Sequence, residues 1–289
     1  AMTDINVDNI AEISVLKGAA ATALYGADAA SGVIVITSKK AKAGENSFEI
    51  NHSTSISSVS LLPKYQNEYG GGYYQDWDTF SYNPATDPAS WASFNGHLTP
   101  YYAADESWGP PMDGTLVRHW DSWIPNHPDF GTLRPWNPNP DNVKNFFNDG
   151  IENSTTLAFS SGSDTSGLRA SARLINEELP FPNTERNQID VNITGDVQIA
   201  ERLTAFGSIN YQFRKTLNFP VNGYGGLGAN FNQWFQRQLD MDRLKDNYEF
   251  QGNYYSWNRR SARNATPLYW DSPHFDFYGD QTNQRKNTI

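Results

Sequence analysis

The sequence has no cysteine among its 289 residues, which removes disulfides, thiolate metal sites, iron–sulfur clusters and cysteine nucleophiles together. It also lacks any long apolar run, and nothing approaches the ~18 consecutive residues that a membrane-spanning helix requires. That absence leaves a transmembrane β-barrel open, because barrel strands carry only an alternating signal. Basic residues are scarce: 22 Lys and Arg stand against 32 Asp and Glu, for a net charge of −10. An acidic chain without a basic run is repelled by phosphate backbones, so nucleic acid is disfavoured as a partner. The histidines (His52, His97, His119, His127, His274) are scattered and have no cysteine partners, so neither a metal site nor a cofactor is expected. Aromatic residues, by contrast, are abundant, with 15 Tyr, 16 Phe and 9 Trp.

The chain does not open with the basic segment and apolar core of a signal peptide. Glu12-Ile13-Ser14-Val15-Leu16 reads as a short strand. Gly18 breaks it, and the alanine-rich stretch to Tyr25 reads as two helical turns closed by Gly26. Gly32 then precedes Val33-Ile34-Val35-Ile36-Thr37, a β-branched run of the kind found in buried strands. A strand, a short helix and a strand cannot bury a core alone, so residues belonging before Ala1 are expected.

From Ser47 the period changes to two. Apolar and polar residues alternate over 48–59, 153–161, 168–176, 188–199 and 203–213. Strands of this type have one apolar and one polar face. Several run nearly to the ~9–11 residues that a tilted strand needs to cross a bilayer core, against a usual ~5–6. The connections sort by length. Residues 162–167 and 200–202 form short turns, whereas 60–152, 178–187 and 215–280 read as long loops. Short links at one end of a sheet and long ones at the other match an outer-membrane barrel.

The first long loop has the most unusual composition. Residues 62–140 hold 16 aromatics and 11 of the 16 prolines. Disordered segments are poor in aromatics, so an ordered loop is expected, suited to sugars or peptides through ring faces and OH or NH edges. The candidate ligand-binding residues are Tyr73, Tyr74, Trp77, Trp91 and Trp108. The first three follow Gly70-Gly71-Gly72, whose flexibility would let the rings approach a ligand. Trp108 lies in a rigid Trp-Gly-Pro-Pro element and reads also as a packing anchor. For any single ring, packing of the loop on itself is the competing reading.

Two helices are expected in the loops. Asp141 can cap one running to Phe147 and ended by Gly150. Phe231, Trp234, Phe235 and Leu239 share one face of another, which makes them candidate partner contacts against the plainer reading of packing on neighbouring loops. Gly223 to Gly228 spells GxGxxG, but no βαβ unit surrounds it, and a loop hinge is the better reading. The carboxylate pairs Glu177/Glu178, Asp76/Asp78 and Asp240/Asp242 read as solvated charges rather than a glycosidase pair. No catalytic residue is assigned.

Val15-Leu16-Lys17-Gly18, the turn to Tyr25-Gly26, Gly32 to Thr37 and Lys39-Lys40 resemble the end of a TonB-dependent plug domain. With Ser107 to Gly114, Pro140 to Phe147 and Phe231 to Asp242 following in order, the whole chain resembles the SusC/RagA-like transporters of Bacteroidetes outer membranes. The resemblance implies a mainly β fold. Residues 1–44 would be the C-terminal part of an α/β plug and its linker, and 45–289 the first strands of a large antiparallel barrel. An open sheet leaves an edge that lipid does not tolerate, so the chain is expected to be part of a longer one.

The implied function is import of an oligomeric nutrient, glycan or peptide, across a Gram-negative outer membrane. A SusD-like lipoprotein lid and TonB, acting through a segment upstream of Ala1, are the implied protein partners, and lipid surrounds the wall. Energy would come from TonB and not from chemistry in the barrel, so the chain is not read as an enzyme. A soluble aromatic-rich carbohydrate-binding module is the alternative, with a glycan-cleaving enzyme behind it.

Overall fold

A computed structural model describes residues 6–288, so the first five positions of the 1–44 unit lie outside the described residues. The chain begins with an antiparallel pair, β1 (Ile10–Leu16) and β2 (Val33–Ser38), bridged by helix α1 (Ala19–Tyr25). These elements fall where the β-branched runs and glycine breaks place them.

One six-stranded sheet dominates the rest. Its strands are β3 (Asn46–Ser57), β4 (Gly150–Gly162), β5 (Ser166–Glu178), β6 (Glu185–Ala200), β7 (Leu203–Leu217) and β8 (Asn283–Thr288). Every neighbour in space is the next strand in sequence, and every pair is antiparallel. The sheet is open, with β3 and β8 as its edges. Four of the strands cover the alternating stretches 153–161, 168–176, 188–199 and 203–213 and exceed them by a few residues, whereas β3 begins two residues before the expected 48–59 and ends two short of it, at Ser57. The sixth, β8, reads Asn-Gln-Arg-Lys-Asn-Thr and has no apolar alternation to announce it.

The five alternating strands turn their apolar side chains outward. Phe48 is 65% exposed, Leu174 50% and Ile193 41%. Among the described residues no second sheet covers this face, and Ile189 and Ile193 are each 41% exposed, so the sandwich that would bury Ile189, Val191 and Ile193 is not what forms. Over β4, β5 and β6 the opposite, polar face is the covered one: Thr156, Arg169 and Gln188 are each at most 3% exposed. Water favours the reverse arrangement.

The N-terminal unit lies on that polar face. Ser171 Oγ donates to Asn9 Oδ1 at 2.9 Å, Thr156 Oγ1 donates to Asp8, and Lys39 Nζ lies 3.6 Å from Glu49. Arg169 donates to Glu49 and Ser160 at 3.0 and 2.8 Å, and Arg173 Nε reaches Asp190 at 3.0 Å.

Residues 163–165 and 201–202 form short turns at one end of the sheet. The linker from β2 to β3 passes the first of them, with the Gly44 amide donating to the Gly162 carbonyl at 3.0 Å. At the other end, the loops 58–149 and 218–282 are long, as expected. The link expected at 178–187 is shorter, because β5 and β6 pair out to Glu178 and Glu185. Charge pairing extends those strands: Arg186 reaches Glu177 at 2.6 Å and Glu152 at 3.0 Å. Glu177 and Glu178 are therefore strand residues, not loop ones.

Both helices expected in the loops are cut short. The stretch from Asp141 forms only a 3-10 turn at Lys144–Phe146. The helical stretch at 227–234 ends in a π turn, Asn230–Trp234, and the chain is extended from Phe235. A regular helix follows at α2 (Met241–Asn247), capped by Asp240, whose side chain accepts from the amides of Asp242 and Arg243.

Candidate ligand-recognition surface

The two long loops fold into one body above the sheet. Their shared core contains Phe80, Trp120, Trp123, Phe146, Phe231, Phe235, Trp257 and Trp270. Large rings suit a loop core because each removes much apolar surface from water with few torsions to freeze. Phe146 meets Phe231 edge-on at 5.1 Å, joining the first loop to the last.

Buried charges complete the join. Asp121 is fully buried between Arg134 and Arg243, with Arg243 Nε at 2.6 Å. Burial alone would raise its carboxyl; hydrogen bonds from Arg134 and the charge of Arg243 outweigh this and hold it below the usual range. Arg118 has no exposure and lies between the rings of Phe94 and Trp123, at 3.8 and 3.7 Å from their centroids. Burial lowers Arg118 and Arg259 to about 10, so both stay charged at neutral pH. Arg259 donates to the carbonyls of Trp120, Ser261 and Ala262.

A strap from the last loop, Gln236-Arg237-Gln238, threads into the first. The Gln236 amide donates to the Ala104 carbonyl at 2.9 Å, and Gln238 Oε1 accepts from the Gly71 amide at 2.8 Å. Arg237 stacks on Tyr65 at 4.5 Å and donates to Asn142, Gln66 and Pro140. Sequence reading missed these three residues. Their signal lay between the apolar positions of the 231–242 motif, where only the aromatic spacing was followed.

Gly70-Gly71-Gly72 is not a flexible hinge. All three glycines are buried. A Cβ on Gly70 would lie 2.5 Å from the Trp136 ring, one on Gly71 2.0 Å from Gln236 Oε1, and one on Gly72 2.8 Å from Gly109 Cα. The strap is stitched by Gly109 N to Gly70 O at 2.8 Å and Trp108 N to Gly72 O at 3.0 Å. These glycines serve close approach between backbones.

The structure separates the ligand-binding candidates. Tyr73 and Tyr74 are exposed, and both rings lean on Tyr101, with centroids 5.6 and 5.5 Å away. Trp108 is 56% exposed over Tyr69 at 4.8 Å. Trp77 is half-buried and meets Trp136 edge-on at 5.4 Å. Trp91 is half-buried and packs against the core beside Trp123 and Phe80, at 5.1 and 5.9 Å. Of the partner-contact candidates, Phe231, Phe235 and Leu239 are buried in the loop core, which matches the packing reading of that face; Trp234 alone is half-buried.

Carboxylates border the tyrosines. Tyr74 donates to Asp78 at 3.0 Å. Desolvation, then Glu106 and Asp105, push Tyr73 up to about 12; desolvation and Asp78 do the same to Tyr74. Both hydroxyls therefore stay protonated as donors. The surface offers ring faces, phenolic donors and carboxylate acceptors, which is chemistry for holding a polar oligomer.

No family model matches the chain. Two curated proteins are similar to it. Over 102 aligned positions, 30% of the chain and 10% of the relative, it is 32% identical to the TonB-dependent receptor P3 of Formosa agariphila. Over 309 positions, 88% of the chain and 29% of the relative, it is 24% identical to the TonB-dependent receptor SusC of Bacteroides thetaiotaomicron. The chain thus spans less than a third of either relative.

Proposed function

We propose that the chain supplies the end of a plug, within 1–44, and the first strands of a barrel wall, within 45–289, of a SusC-like, TonB-energised importer in a Gram-negative outer membrane. The observation that carries this reading is the inverted sheet, apolar outward and polar toward the N-terminal unit. Lipid makes that arrangement favourable, and water does not. The similarity to two TonB-dependent receptors supports the same reading.

On this reading the loops 58–149 and 218–282 face the outside. Tyr73, Tyr74 and Trp108 receive an oligomeric nutrient, a glycan or a peptide, while Trp77 and Trp91 hold the loop beneath them. A SusD-like lipoprotein closes over the loops, and Trp234 is the remaining candidate for its contact. TonB pulls from the periplasm on a segment outside this chain. The step is binding and translocation, so no side chain has to act as acid, base or nucleophile.

Spin labels at Ile193 and Asn192, neighbours on opposite faces, test the orientation in isolated outer membranes. Oxygen dissolved in lipid is expected to relax the Ile193 label, and a water-soluble nickel chelate the Asn192 label. Equal access of the chelate to both positions would sink the proposal.

A further inference from the structure

A cavity of about 400 Å³ lies between the N-terminal unit and the strand wall, far from the tyrosine surface. Its size falls within the ~300–1,000 Å³ of small-molecule sites. Gln212 on β7 is its most informative wall residue. The side chain is 6% exposed, and its Nε2 donates to Asp190 Oδ1 at 2.9 Å. Its Oε1 is buried and accepts no hydrogen bond among the described residues. Across the cavity, Asn6 Nδ2 is likewise buried and unmatched. Buried polar atoms without partners are rare in folded proteins, and each calls for an explanation.

The neighbouring chemistry specifies what would satisfy them. Asn192 Nδ2 donates to Asn210 Oδ1, which leaves a carbonyl on Asn192 and an amino group on Asn210, both on cavity-lining residues. Asp190 accepts from Arg173 and from both side-chain amides, Gln188 and Gln212, so its charge is answered within the wall. The N-terminal unit adds Ile10 and Ile36. The cavity therefore offers amide donors and acceptors, no unanswered charge, and an aliphatic patch.

We propose that this cavity is a binding subsite for an uncharged, hydroxyl-bearing ring. One hydroxyl donates to Gln212 Oε1, others accept from Asn6 and Asn210, and the C–H face of the ring rests on Ile10 and Ile36. Hydroxyls fit because each donates and accepts, as a mixed amide wall requires. A carboxylate could accept from Asn6 and Asn210 but would leave Gln212 Oε1 without a donor and would bring its charge toward that of Asp190. The inference rests on the reading that the polar face lines a lumen, and it adds a second station to the outer tyrosine surface.

The test uses the full-length protein in detergent, carrying Tyr73→Ala, Tyr74→Ala and Trp108→Ala so that the outer surface is silent. Methyl β-glucoside is titrated by calorimetry and is expected to bind, with glucuronate and N-acetyl-alanyl-alanine amide binding less well. Gln212→Met should weaken the glucoside about tenfold. Asn210→Leu, at an exposed side chain that leaves the buried wall intact, should weaken it in the same direction. No binding by the parent, affinity unchanged from the parent in both variants, or preference for the dipeptide overturns the proposal. If binding fails while the Ile193 label reports lipid, only the subsite falls. If that label reports water, the lumen falls with it.

Discussion

Asp121 in the first loop and Arg243 in the last stand 122 residues apart in sequence and 2.6 Å apart in space. Arg243 also reaches Asp129 at 2.5 Å, and Arg134 grips the other Asp121 oxygen. This is the polar keystone of the loop body, set beside its aromatic core. It converts two long connections into a single platform.

Asp121→Asn should loosen that platform. The substitution keeps the volume but leaves two arginines facing a neutral amide, and breaking a buried pair costs about 3–5 kcal/mol. Partial exposure of Arg134 and Arg243 places the cost toward the lower figure. The expected outcome is early proteolysis within 58–149 and 218–282 while the strands stay protected. Unchanged cleavage of the loops would show that the aromatic core suffices alone.

The contrast between sheet and loops explains how much of the molecule was legible in the sequence. The five long strands carry their own period, so Ile189, Val191 and Ile193 announce a face without any partner being known. β8 has no such period and forms because Phe213 and Lys215 on β7 offer it a register. In the loops, Tyr101 completes the tyrosine surface, and Gln236 and Gln238 fix the glycine strap. Those contacts join residues far apart in sequence, and no local pattern encodes them. Aromatic density indicated that the first loop was ordered. It could not tell Trp91, which packs, from Trp108, which is exposed.

Acid should weaken the platform through His274. This ring is 3% exposed, beside Phe146 at 5.3 Å, and burial pushes it down from 6.5 to about 4. The folded state holds it neutral, while the unfolded chain takes a proton near 6.5. Below that pH the unfolded state binds more protons, so stability falls between about 6.5 and 4 and then levels. Unfolding of the loops followed across this range should show the slope, and His274→Phe should reduce it, the remainder coming from His119, which burial also lowers to about 4.

The glycine strap makes a steric prediction. A Cβ at Gly109 would sit 2.1 Å from the Gly71 carbonyl oxygen, a backbone atom that cannot swing aside. Gly109→Ala is expected to cost at least the ~1–3 kcal/mol of an overpacked core and to displace Trp108. Gly225→Ala meets nothing within 4 Å and should stay within about 0.5 kcal/mol. Thermal unfolding of both variants distinguishes a packed strap from a flexible one, which would tolerate either change.

Ligand recognition should divide along the same line as exposure. Tyr73→Ala and Tyr74→Ala remove exposed rings and should leave the fold intact. Each is expected to weaken nutrient binding by ~2 kcal/mol, or ~30-fold. Trp91→Ala removes a half-buried ring packed against the core and should act on stability, by less than the ~3–5 kcal/mol of a fully buried ring. Equilibrium binding measured beside thermal unfolding separates the two effects. Full affinity in both tyrosine variants would move the site elsewhere on the loops.

The end of the sheet bearing the short turns fixes which side of the membrane the linker occupies. Gly162 N donates to Glu45 O at 3.0 Å, so the linker lies beside the turn at 163–165, and the Lys42 side chain is 78% exposed there. Tyr224, 72% exposed, belongs to the last loop at the opposite end. With no cysteine among these 289 residues, Lys42→Cys and Tyr224→Cys each introduce one reactive site into this part of the protein, read against the protein without either change. In intact cells a membrane-impermeant maleimide should label position 224 and spare position 42, and permeabilisation should expose both. Labelling of 42 alone would mean that the long loops face inward, and the tyrosine surface could then meet no nutrient from outside.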